Sequence, residues 1–162
     1  MRVCWVPAVT VVLLVSACGS SGGGGSGGGS SRLSASAYRT HLNTLGKEAD
    51  TAQRAVEKGF RASSVPQLVA VLTAFAAAEK RMGDEVAALK PPKDAETANA
   101  ELANGQHDTA SEVQALLPKI KQMPSAKIAI AYLNKKPSPK GGREIDKGLA
   151  ELKKLGYIKK VS

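Results

Sequence analysis

The chain has 162 residues, 43% of them apolar and only 4% aromatic, with a net charge of +9. That length suits one domain of moderate size, and an alanine- and leucine-rich body poor in aromatics favours packed helices over a sheet. Its two cysteines are Cys4 and Cys18, so everything after Cys18 lacks a thiol, which excludes a disulfide, a catalytic thiolate or a cysteine-built zinc site from that part. The charge is uneven. Residues 32–117 carry 10 basic and 11 acidic side chains, whereas residues 118–162 carry 12 and 3.

The first elements concern address rather than fold. A positive start at Arg2, an apolar run from Val3 to Val15, and the small residues Ser16 and Ala17 have the three parts of a secretory signal. The run is too short for a mature transmembrane helix, which needs about 20 apolar residues. Val15-Ser16-Ala17-Cys18 resembles the lipobox of bacterial lipoproteins: an aliphatic residue, two small ones and a cysteine. The resemblance covers about the first 18 residues. It implies cleavage before Cys18, acylation of that cysteine, and a place on the outer face of the cell membrane, or in the outer membrane of a host with two.

Gly19 to Ser31 is almost all glycine and serine. Such a tract is a flexible coil with a root-mean-square span of roughly 20 Å, reaching roughly 45 Å when fully extended. The expected organisation is a signal peptide over 1–17, a lipidated cysteine and tether over 18–31, and a helical domain over 32–162.

Within that domain Tyr38, Leu42, Leu45, Ala49, Ala52 and Val56 recur at steps of three and four, the stripe of a helix. Ser34 or Ser36 can cap its start, and Gly59 lies near its end. The second helix opens with a capping-box pattern, Ser64 and Gln67, with Pro66 in the first turn. Its stripe runs Leu68, Leu72, Phe75, Met82, Val86 and Leu89 and stops before Pro91 and Pro92. Asp94 is the expected cap of a third helix on Ala98, Leu102, Thr109, Val113 and Leu116, with Gly105 on its seam and Pro118 ending or kinking it.

Ser125 starts a short helix. Residues 136–142 read as a loop, and a last helix follows from Arg143, with Gly156 as its left-handed cap and Tyr157 and Ile158 folding back. The expected fold is all-α: a small antiparallel bundle of three longer helices plus one or two short C-terminal ones. The Ala-rich helices broken at Leu89-Lys90-Pro91-Pro92 loosely resemble small helical lipoproteins of high-GC Gram-positive bacteria, a likeness that implies no particular activity.

Few residues offer chemistry. His41 and His107 stand apart, without a G-x-S-x-G elbow, and adjacent Asp108 does not face His107 on a helix. Neither histidine has a glutamate three places before it, which excludes the Glu-x-x-His pairs of a di-iron bundle. Glu79 falls on the seam between Phe75 and Met82. Ala78 can fill the same turn, so the expectation is a rim position, because an unpaired buried carboxylate is costly. No cofactor, metal or catalytic residue is expected.

The basic C-terminal third is the main functional lead. Its candidate anion-binding residues are Lys135, Lys136, Lys140, Arg143, Lys153, Lys154, Lys159 and Lys160, the middle ones flanking a Gly-Gly helix start. Lysine predominates, which suits diffuse attraction to anionic lipid or wall polymers more than bidentate recognition. Nucleic acid is disfavoured for want of an RNP-like motif or zinc finger. The expected role is a non-enzymatic interaction or structural module held at the membrane through its N-terminal lipid. The alternatives are a small-ligand carrier or sensor with an apolar cavity, and an enzyme or cofactor-binding bundle centred near Glu79.

Overall fold

The computed structural model describes residues 31–158, and the expected signal, Cys18, most of the expected tether, Lys159 and Lys160 lie outside them. Five α-helices follow in order: α1 Ala35–Gly59, α2 Val65–Ala88, α3 Glu96–Lys121, α4 Ala126–Asn134 and α5 Lys140–Lys154. A single 3₁₀ turn, Lys93–Ala95, precedes α3. No strand occurs among the described residues, and the fold is the all-α bundle that the periodicity predicts. No described helix is long and apolar enough to cross a membrane.

Local chemistry explains most boundaries. The side chains of Ser34, Ser64 and Ser125 accept from the amides of Ala37, Gln67 and Ile128, each satisfying a donor at a helix start. Gln67 completes its cap one residue early, accepting from the amide and hydroxyl of Ser63 at 3.2 and 2.9 Å. At the end of α5 the Tyr157 amide donates to Leu152 O and the Gly156 amide to Lys153 O, at 2.9 and 3.1 Å. With Gly156 at φ 77° this is a Schellman motif, and it turns Tyr157 back into the core.

Three boundaries differ from expectation. Asp94 does not cap α3: it sits in the 3₁₀ turn and accepts from the Tyr157 hydroxyl at 2.9 Å. Pro118 does not end α3, which continues to Lys121. Pro118 and Gln114 are both exposed, so the carbonyl deprived of its helical donor lies where water can reach it. Finally, α5 starts at Lys140, so Gly141 and Gly142 are helical rather than part of a loop.

The reason for those glycines is packing. A Cβ on Gly105 would lie 2.7 Å from the Ile145 amide and 2.8 Å from Gly141 O, and one on Gly148 would lie 2.9 Å from Ala98 O. The backbones of α3 and α5 therefore approach along a Gly105/Gly141/Gly148 seam, running antiparallel. Neighbouring α2 and α3 are antiparallel too: the Asn99 amide nitrogen donates to Val86 O at 2.9 Å, and His107 lies against Gly83.

The core forms two clusters stacked along the bundle. The first gathers Tyr38, Leu42, Leu45, Met82, Val86, Leu102, Ile145, Leu152 and Tyr157. The second gathers Val56, Leu68, Leu72, Phe75, Val113, Ile120, Ala129 and Leu133. The fourth side of the bundle is thus shared, α5 serving the first cluster and α4 the second. Burial of a large aliphatic or aromatic side chain stabilises by about 1.5–3 kcal/mol, and these clusters are the bundle's principal stabilising feature.

The first cluster holds a polar lock. Tyr38, fully buried, donates to Asn99 Oδ1 at 2.9 Å and meets the Tyr157 ring edge-on at 5.2 Å. Burial pushes the Tyr38 phenol far above its ordinary range, so it remains a neutral donor.

Candidate functional site

The described residues of the basic third do not form one surface. Because α1, α2 and α3 are each about 36–39 Å long, the bundle has two distant ends. The chain enters at one, where the Leu33 amide donates to Lys90 O at 2.7 Å. Lys153 and Lys154 stand at that same end, in the last turn of α5. Lys119 and Lys121 close α3 at the far end, with Lys127, Lys135 and Lys136 on or just beyond α4.

Several of the basic residues are engaged within the fold. Lys140 pairs with Asp108 at 3.0 Å and Glu144 at 3.2 Å, and these partners hold its ammonium pKa above its ordinary value. Lys147 pairs with Glu101, and Lys154 with Glu151 at 2.8 Å. Arg143 donates to Ser138 O at 2.9 Å. Much of the positive excess of α5 is therefore met by the acidic face of α3, a match that counting charge by segment does not reveal.

The helix start that looks suited to an anion already has one. Both carboxylate oxygens of Glu112 accept from the Lys140 amide, at 3.0 and 3.1 Å. This carboxylate from α3 sits at the positive end of the α5 dipole and takes the place an external phosphate would need.

The far end is different. No carboxylate lies within ion-pair distance of Lys119, Lys121, Lys127, Lys135 or Lys136 among the described residues. Two of these lysines converge on one ring: Lys119 Nζ is 4.6 Å and Lys136 Nζ 5.1 Å from the centre of Tyr132. The hydrogen bond from Lys136, joined by the charges of both lysines, lowers the Tyr132 phenol below its ordinary value. Ile128 adds an apolar spot, half exposed on α4.

Glu79 is the largest departure from expectation. It is buried, with 7% of its surface exposed, while Ala78 takes the half-buried position. Burial pushes its carboxyl up to about 7. On α3, Gln106 and Thr109 are equally enclosed, and Gln106 Oε1 and Thr109 Oγ1 have no hydrogen-bond partner. Thr109 has a local account: a Cβ on Gly141 would fall 2.5 Å from its hydroxyl oxygen, so a glycine Cα hydrogen points there, a weak but recurrent contact at close helix crossings. Glu79 and Gln106 have none. Sequence spacing flags the glutamate but not Gln106, one of several polar residues on α3.

The histidines are polar surface groups. His41 is exposed, and His107 Nε2 lies 3.0 Å from Asp84 Oδ1 with 38% of the imidazole side chain in solvent. No group of three or more His, Cys, Asp or Glu suited to a metal occurs among the described residues. An apolar groove of about 480 Å³ runs between α1 and α2, floored by Ala52, Ala55, Val71, Phe75 and Ala78 and rimmed by Lys47, Glu48 and Arg81. It lies away from Gly105, where α5 fills the seam along α3. No protein-family model, curated protein or solved structure matches the chain.

Proposed function

We propose that this chain is a lipid-anchored envelope protein whose helical domain is a non-enzymatic binding module, docking an anionic polymer through the basic end formed by α4 and the close of α3. The anchored address rests on Val15-Ser16-Ala17-Cys18 and the glycine-serine tract behind it. One observation carries the docking surface: five lysines without carboxylate partners among the described residues, Lys119, Lys121, Lys127, Lys135 and Lys136, gather at the end of the bundle opposite the point where the chain enters, and two of them converge on Tyr132. A domain tethered at its entry end presents that lysine end roughly 35–40 Å further out. This favours a wall polymer over the head groups of its own membrane. Clustered lysines give long-range, weakly selective attraction that salt screens.

The test uses residues 32–162 with a soluble anionic polymer and with anionic and neutral vesicles across a salt series. Binding to the polymer that weakens steeply with salt, and is lost in the Lys119→Gln, Lys127→Gln, Lys135→Gln combination, supports the reading. Binding unchanged by those substitutions, or none at low salt, refutes it. Equal loss on neutralising Lys153 and Lys154 instead would move the surface to the membrane-proximal end.

A further inference from the structure

We propose that the groove between α1 and α2 binds a single-chain anionic amphiphile of the fatty-acid carboxylate class, its tail laid along alanines and its head group at Lys47. The site begins with register. The Arg81–Glu48 ion pair joins the two helices at 2.8 Å, and buried Gly59 lies against Val71 further along, so α1 and α2 run antiparallel. Toward the chain's entry, Tyr38, Leu42 and Leu45 join Met82 and Val86 in the first core cluster. At the other end Val56 joins Leu68, Leu72 and Phe75 in the second. Between these anchored ends the two helices face each other with Ala52, Ala55, Ala74 and Ala78, whose methyl groups leave the groove of about 480 Å³ open.

The groove is graded along its length. One end is lined by Lys47, Glu48 and Arg81, and the other by Ala55, Val71, Ala74 and Phe75. At the polar end Glu48 and Arg81 neutralise each other, and Arg81 also faces Glu85 at 3.7 Å. No carboxylate lies within ion-pair distance of Lys47 among the described residues. One uncompensated cation therefore stands at the head of an apolar channel. Thr44 and Thr51 line it too, but their hydroxyls donate to Thr40 O and Lys47 O at 3.2 and 2.9 Å.

These features select the occupant. An extended peptide laid in the groove would find no backbone partners, because its walls lie inside α1 and α2, where amides and carbonyls bond within the helix. The peptide's own polar groups would go unmet, at a cost in free energy. A hydrocarbon chain carries no such groups. The groove runs from Thr44 to Ala55 on α1, roughly 16 Å at about 1.5 Å per residue. Carbon–carbon bonds of about 1.5 Å meeting at about 111° advance about 1.25 Å each, so roughly 12–14 carbons fill that length. An anionic head then falls at the Lys47 end, where charge complementarity fixes the direction of the tail. The site is separate from the lysines of the α4 end and does not depend on them.

Titration calorimetry of the full chain carrying Cys18→Ser, which keeps any acyl group off the chain itself, tests the site with straight-chain carboxylates below their micelle concentrations. Dodecanoate should bind with one-to-one stoichiometry. Affinity should rise roughly two- to fourfold per methylene from octanoate upward and level off at about 12–14 carbons, where the tail outgrows the groove. Dodecyltrimethylammonium, with the same tail and the opposite charge, should bind more weakly. Ala74→Phe places a ring in the groove from an exposed position and should abolish binding, while Lys47→Gln should weaken it about threefold. The Lys119→Gln, Lys127→Gln, Lys135→Gln combination should leave it unchanged, so failure here and failure of the polymer surface are distinguishable. No binding of dodecanoate, undiminished binding in Ala74→Phe, or loss with the three distal lysines would overturn the proposal.

Discussion

Glu79→Gln should abolish a pH dependence that burial builds into the fold. The carboxyl titrates near its ordinary 4.5 in the unfolded chain and at about 7 in the folded one. Below about pH 4.5 it is protonated in both states and contributes no pH dependence. Between 4.5 and about 7 the unfolded chain releases the proton while the folded chain retains it, so stability falls as pH rises. Above about 7 both states are ionised and the loss is complete, at roughly 3 kcal/mol. That is a large share of the 5–15 kcal/mol typical of a domain. Urea unfolding from pH 4 to 8 at constant ionic strength measures it. The difference between wild type and Glu79→Gln isolates the group, because Asp146, also raised by burial, and Asp84, lowered by its hydrogen bond from Lys80, are common to both. Parallel stability curves for the two proteins would show a solvated carboxylate and refute the burial of Glu79.

Other outcomes follow from individual contacts. Gly141→Ala should cost about 1–3 kcal/mol in urea unfolding, since its Cβ would meet backbone and Thr109 atoms of α3 that cannot move aside. Gly156→Ala should cost about 1 kcal/mol for another reason: nothing surrounds the added carbon, but φ 77° is unfavourable to it. Ser64→Ala removes the α2 cap and should lower stability by about 1 kcal/mol in the same assay. Glu112→Ala should vacate the start of α5, so that phosphate raises the thermal midpoint of the variant and not of the wild type.

Much of the architecture is legible locally. Three- and four-residue spacing marks every helix, and Ser34, Ser64, Ser125 and Gly156 act where short-range rules put them, because caps and left-handed turns depend on a few neighbouring atoms. Asp94 shows the limit of such rules: a distant tyrosine, Tyr157, claims its carboxylate, and the 3₁₀ turn starts α3 without it. The Gly141-Gly142 pair likewise reads as a loop until the α3 backbone is beside it.

By itself the sequence determined the helical class, the serine caps of α1, α2 and α4, the signal-like N-terminus and the excess of positive charge, all properties of composition and near neighbours. Only the tertiary structure decided which charges remain outside ion pairs and where Glu79 points. Those depend on the register between helices. It brings acids of α3 against Lys140 and Lys147 of α5, gathers Lys119, Lys121, Lys127, Lys135 and Lys136 at the α4 end, and buries Glu79 where the two core clusters meet.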